Sequence, residues 1–105
     1  MPSKRTKATS ISKEVRINVM NRDTPHTLPR CIFCGSVYGI TIAHYVSRAN
    51  GGKGIEQNLA CVCMECHRKL DQSTQRKYML EIFKRHLIRH YEDWNEDDLK
   101  YRKGE

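Results

Sequence analysis

From Ser12 onward the apolar positions follow a helical period: Val15, Val19 and Met20 share one face, while Lys13, Arg16 and Arg22 fall outside it. Ser12 predicts an N-cap, and Pro25 and Pro29 end the helix and bracket the loop DTPHTLPR, with His26 on the surface. Val37 to Val46 mixes β-branched and aromatic residues and predicts a strand despite Gly39, with His44 near its far end. Ser47 to Gln57 carries Gly51, Gly52 and Gly54 together with Arg48 and Lys53, a composition too polar and glycine-rich for core. This stretch predicts a loop that joins two strands. Asn58 to Val62 reads as the second strand, and a helix is expected to begin around Cys63 to Met64.

Past Asp71 the period lengthens again. Met79, Phe83, Leu87 and Tyr91 recur every four residues, and Tyr78 and Ile82 widen that stripe. A helix from about Ser73, its expected cap, to Tyr91 follows, with Lys77, Glu81, Lys84, Arg85 and Arg89 on the other faces. His86 and His90 stand one turn apart on it and could hold a metal, but no third ligand stands out in the sequence. Asn95 predicts the cap of a short last helix, with Trp94 docked on the domain. Residues 1–10 are basic and rich in Ser and Thr without apolar periodicity, so they read as a flexible basic tail. Residues 11–105 read as one α+β domain, flanked by an N-terminal helix and a long C-terminal helix.

Composition narrows the function classes. With 105 residues, 38% of them hydrophobic and 30% charged, burial alone gives a thin core. A metal staple is a common remedy at this size. The formal net charge of +7 favours a polyanionic partner, with nucleic acid the natural candidate. No apolar run approaches the ~20 residues of a membrane span. Five cysteines, and an N-terminus without an apolar signal region, predict a reducing, cytoplasmic setting.

The cysteines carry the most specific chemistry. Cys31 and Cys34 form one Cys-x-x-Cys pair, Cys63 and Cys66 another. Such a turn places two thiolates on one side of an ion, and two turns complete the tetrahedral shell of a structural zinc. Cys61 is the odd cysteine and alternates with Cys63 on the second strand, as a small core residue would. His44, Asn58 and His67 lie within the same stretch, His67 directly after the last cysteine.

The order His, Asn-Leu, then Cys-x-x-Cys-His resembles the HNH endonuclease family, whose core is the ββα-metal fold. The resemblance covers roughly residues 30–75, and the four-cysteine zinc is similar to a subgroup frequent in phages and prophages. It implies a metal-dependent DNA endonuclease that hydrolyses phosphodiester bonds with low sequence specificity. His44 would be the general base, and Asn58 would hold the His44 ring through its side-chain carbonyl. His67 would bind the catalytic divalent ion, Mg²⁺, Mn²⁺ or Ni²⁺. Asp71, one helical turn later, falls on the same face and could grip the ion with His67. Arg48, Lys53, Arg68 and Lys69 are candidates for contacts to the DNA backbone.

One position departs from the family pattern. Many members place an Asp or His that binds the metal directly before the catalytic His, and here that residue is Ala43. The departure supports the alternative of a catalytically weak or inactive zinc-knuckle DNA-binding protein. A zinc-stabilised adaptor for phage packaging proteins such as a terminase is a third reading.

Overall fold

The computed structural model describes residues 3–102. The first two residues assigned to the basic tail and the last three assigned to the domain lie outside the described residues. At the centre is a two-stranded antiparallel sheet, β1 (Ile40–His44) and β2 (Leu59–Cys63), paired from Ile40 with Cys63 to His44 with Leu59. The sheet, a cluster of four cysteines and helices at both ends make a small α+β structure consistent with the ββα-metal fold.

Alternation along the strands divides the interior in two. Ala43, Ala60 and Val62 face one side and pack with Leu70, Met79, Phe83 and Leu87. Ile42, Leu59 and Cys61 face the other and meet Val19. Helix α1 (Lys4–Thr9) and helix α2 (Lys13–Arg22) precede the sheet. Helix α3 (Met64–Gln72) follows β2 directly, capped by the Cys63 side chain, and helix α4 (Arg76–His90) closes the larger core. Aromatic edges fix α4: Phe83 packs edge-on against Phe33 and Tyr45, and Tyr45 against Trp94. The Trp94 indole donates to the Gln57 carbonyl at 2.7 Å. Asn95 caps a 3-10 turn over Glu96–Leu99, as its position predicts.

Several sequence expectations are corrected. Residues 4–9, read as flexible tail, form α1, which Ser3 caps and Arg5 ties to the Arg48 and Ala49 carbonyls. Its anchor is polar, so no apolar period betrayed it. β1 begins at Ile40 because Gly39 takes a φ of 61°. Ser73 ends α3, and α4 starts three residues after it, at Arg76. Tyr78 is exposed, so Leu80 packs toward the core instead. Arg22 does not face outward: its guanidinium binds Asp23 in a fork, the Glu56 and Leu59 carbonyls and the Tyr91 hydroxyl.

The loop between the strands is also not an outlying one. Gly51, Gly52 and Gly54 are buried, because the segment near Leu99–Tyr101 and the end of α1 lie against them. A Cβ on Gly52 would meet the Val46 carbonyl oxygen at 1.6 Å. Glycine here serves close backbone approach rather than solvent exposure.

Candidate active site and metal centre

The two Cys-x-x-Cys knuckles converge. The Sγ atoms of Cys31, Cys34, Cys63 and Cys66 all lie within 4.8 Å of one another, and Cys34 Sγ is 3.7 Å from Cys63 Sγ. Zn–S bonds of about 2.3 Å in a tetrahedron put neighbouring sulfurs ~3.8 Å apart, so the cluster fits a structural zinc. Backbone N–H groups of Phe33 and Cys66 point at Cys31 Sγ and Cys63 Sγ, each at 3.4 Å. Cys61 stays outside the cluster. It packs with Val19 and Leu59, and burial pushes its thiol up to about 12, as expected of a core residue.

On the opposite flank, a hollow of about 400 Å³ is lined by Ile11, Arg16, Ile42, His44, Ser47, Arg48, His67 and Asp71. It brings together three of the sequence candidates, His44, His67 and Asp71, with Arg48 at the rim. Lys53, Arg68 and Lys69 do not line it, and Lys69 approaches Glu65 at 3.8 Å. Arg16 enters the set unannounced, since a lysine- and arginine-rich helix face reads as solvated surface.

Each histidine has one ring nitrogen committed. His44 Nε2 lies 3.1 Å from the Thr9 carbonyl. A carbonyl only accepts, so Nε2 carries the hydrogen and Nδ1 keeps its lone pair. Burial, with Arg48 and His67 nearby, holds the His44 pKa below its ordinary value despite that carbonyl. His67 Nδ1 lies 2.9 Å from the Thr41 hydroxyl, whose single proton is given to the Val62 carbonyl at 2.7 Å. The hydroxyl therefore accepts from His67 Nδ1–H, and the Nε2 lone pair faces the hollow. His67 Nε2 and Asp71 Oδ2 are 3.8 Å apart on successive turns of α3. Two ligands at ~2.1 Å from a common ion stand roughly 3.0–3.4 Å apart, so a closure of about half an ångström would let the pair share one.

Among the described residues, no third His, Cys, Asp or Glu joins this pair at metal-sharing distance. Ala43 is fully buried in the core beside Val62 and Phe83.

Asn58 does not reach the His44 ring, where its family role would have it. Its amide is fully buried, accepts from Val46 N–H at 2.7 Å and donates to the Val46 and Lys53 carbonyls. It clasps the turn that follows His44. The Thr9 carbonyl occupies the orienting position instead, and a backbone group of a supposed tail leaves no sequence signal. Thr41 was equally hidden, as one polar residue in a strand.

Among the described residues no helix is long and apolar enough to cross a membrane. No curated protein and no solved structure matches the chain. Residues 31–73, which span both cysteine knuckles, β1, β2 and α3, match the family model for HNH endonucleases. A histidine pair, a carboxylate and a cysteine cluster that fits zinc all stand within that segment, and its match to an HNH endonuclease domain implies a nuclease-type or DNA-binding function.

Proposed function

We propose that this protein is a metal-dependent DNA endonuclease whose general base is His44. The observation that carries the reading is the complementary commitment of the two histidines. His44 is fixed with Nδ1 free to take a proton, and His67 with Nε2 free to bind a cation. Both line one hollow with Asp71.

His67 Nε2 and the Asp71 carboxylate would hold one divalent ion, Mg²⁺, Mn²⁺ or Ni²⁺. Such an ion, when bound, neutralises charge that develops on the phosphate and on the leaving 3′ oxygen. His44 Nδ1 removes the proton from the attacking water, and the Thr9 carbonyl stabilises the imidazolium that results. Arg16 and Arg48, at the same hollow, contact phosphate oxygens and position the strand without reading bases. Asn58 supports the site at one remove, by fixing the backbone of Val46 two residues after His44. Double-stranded DNA, cut with low sequence specificity, is the substrate of this reading, and the net charge of +7 supports it.

The second reading is a zinc-built DNA-binding module with weak catalysis or none. Ala43, a core residue where many relatives place a ligand, favours it.

Relaxation of supercoiled plasmid separates the two. Wild type and His44→Ala are compared with EDTA, Mg²⁺, Mn²⁺ or Ni²⁺, after zinc content and folding are matched. Nicking that needs added metal and vanishes in the variant is expected. Equal, metal-independent behaviour of both proteins with DNA binding intact would leave the binding module.

A further inference from the structure

The pair His86 and His90 gains in three dimensions what it lacks in sequence. Asp23, the residue that ends α2, sits against them, and the ligand atoms of Asp23, His86 and His90 all lie within 4.8 Å of one another. The imidazole rings are 4.7 Å apart at 63°, so the two edges converge rather than stack. Asp23 and both histidines line one hollow of about 430 Å³, together with Arg22, Pro25, Arg30 and the back of the Cys31 knuckle. From these observations we propose a second, transition-metal site at Asp23, His86 and His90, separate from the cysteine cluster and from the His67–Asp71 pair.

Two imidazoles on successive helical turns with a carboxylate from another element form a three-ligand face. This donor set suits the late first-row divalent ions, Zn²⁺, Ni²⁺ and Co²⁺, better than Mg²⁺ or Ca²⁺. Asp23 is prepared for the role. Its side chain is 1% exposed, and Arg22 Nη2 and the Cys61 backbone N–H both donate to Oδ2. Oδ1 accepts from Arg22 Nε and from His86 Nε2, each at 2.8 Å. The carboxylate is thereby held in one orientation with Oδ1 toward the histidines, as outer partners hold a ligating carboxylate.

A cation enters where the His86 hydrogen now lies. His86 shifts its proton from Nε2 to Nδ1, Nε2 binds the ion, and Oδ1 becomes its carboxylate ligand. His90, exposed at the last position of α4, supplies the third ligand by a side-chain rotation. Local charge permits this. Arg22 is opposed by Asp23 directly and by Glu56 through the Tyr91 hydroxyl, so with Arg30 also lining the hollow two carboxylates balance two guanidinium groups before a cation arrives. The open side of the hollow leaves the fourth position to water. A bound ion would pin the end of α4 to the end of α2, and so to β2 through the Cys61 amide.

The test uses zinc-loaded protein carrying His67→Ala, which removes the candidate catalytic ion from the count, and no DNA. Calorimetric titration with Ni²⁺, and separately Co²⁺, is expected to show one further equivalent. Adding His90→Ala should weaken it by more than about 100-fold, since a lost ligand exceeds the ~10–100-fold cost of a lost outer partner. His90 is exposed, so the variant keeps its fold and its cysteine-bound zinc. Zn²⁺ should move the imidazole resonances of His86 and His90 and leave exposed His26 unmoved. No further equivalent, or an equivalent indifferent to His90→Ala, overturns the site.

Discussion

The His44 ring rests on the Thr9 carbonyl, 3.1 Å from Nε2, so the candidate base is oriented by a residue thirty-five positions earlier in the chain. Helix α1 therefore backs the hollow through Thr9, although it lies outside the segment that matches the family. Gly54 governs this contact. Its N–H donates to the Ala8 carbonyl, and a Cβ there would fall 2.0 Å from the Ser10 carbonyl oxygen. Gly54→Ala must displace Ser10 and, with it, Thr9. A shift of about 1 Å at an orienting group costs roughly 10²-fold in rate. Single-turnover nicking by Gly54→Ala should fall by about that factor with zinc content and DNA affinity kept, and an unchanged rate would discount the Thr9 carbonyl.

The protonation state of His44 sets the acid limb of the pH profile. Its pKa lies below the ordinary 6.5, chiefly through burial, helped by the positive neighbours Arg48 and His67. The neutral base thus persists below pH 6.5, and the rate should fall only as pH drops through the lowered value. The stability consequence has the same direction. The unfolded chain takes up the proton first, so stability is lost as pH falls from 6.5 through the folded value. An acid limb centred above 6.5 would point to another group as base.

Thr41 selects the His67 tautomer, and Thr41→Val separates that effect from packing. Valine keeps the shape but offers nothing to His67 Nδ1–H and no proton to the Val62 carbonyl. Loss of an outer partner lowers metal affinity by about 10–100-fold. The metal concentration for half-maximal nicking should rise by that factor while the rate at saturation changes little. A fall at saturation with unchanged metal demand would place Thr41 elsewhere in the reaction.

Much of the frame was legible in the sequence, and the reasons are local. Ser12 before an apolar period, the two Cys-x-x-Cys pairs, and Met79, Phe83 and Leu87 four residues apart all act through neighbours within a turn or two. The partners of the candidate site are non-local and often backbone. Thr9 reaches His44, Asp23 reaches His86 across 63 positions, and Arg22 turns inward because carbonyls of Glu56 and Leu59 await it. None of these leaves a period or a spacing to read. Asn58 shows the converse: its place in a motif was plain, while its hydrogen bonds run to Val46 and Lys53.

Asn58 should accordingly act on stability first. It is fully buried, and Asn58→Ala strands the Val46 N–H and two carbonyls. Each stranded buried group costs about 1–3 kcal/mol, so a loss of at least about 2 kcal/mol is expected in urea denaturation. Activity should fall in step with the folded fraction and with disorder after His44. Full stability with activity lost would restore a direct catalytic role for its amide.

The cysteine cluster, which fits a structural zinc, joins the turn before β1 to the end of β2, and Cys63 also caps α3. Structural zinc contributes about 10–16 kcal/mol of apparent binding free energy, against a net stability of ~5–15 kcal/mol for ordinary domains. Chelation should therefore unfold the chain, seen as loss of helical circular dichroism that returns with Zn²⁺. Two cysteine variants distinguish the ion from simple packing. Cys34 is exposed and contributes little burial, yet Cys34→Ser should lose the zinc and the fold. Cys61 is fully buried outside the cluster, and Cys61→Ala should cost about 1 kcal/mol while keeping one zinc per chain. The reverse ranking, with the exposed position tolerant and the buried one intolerant, would mean that packing and not the ion holds this domain together.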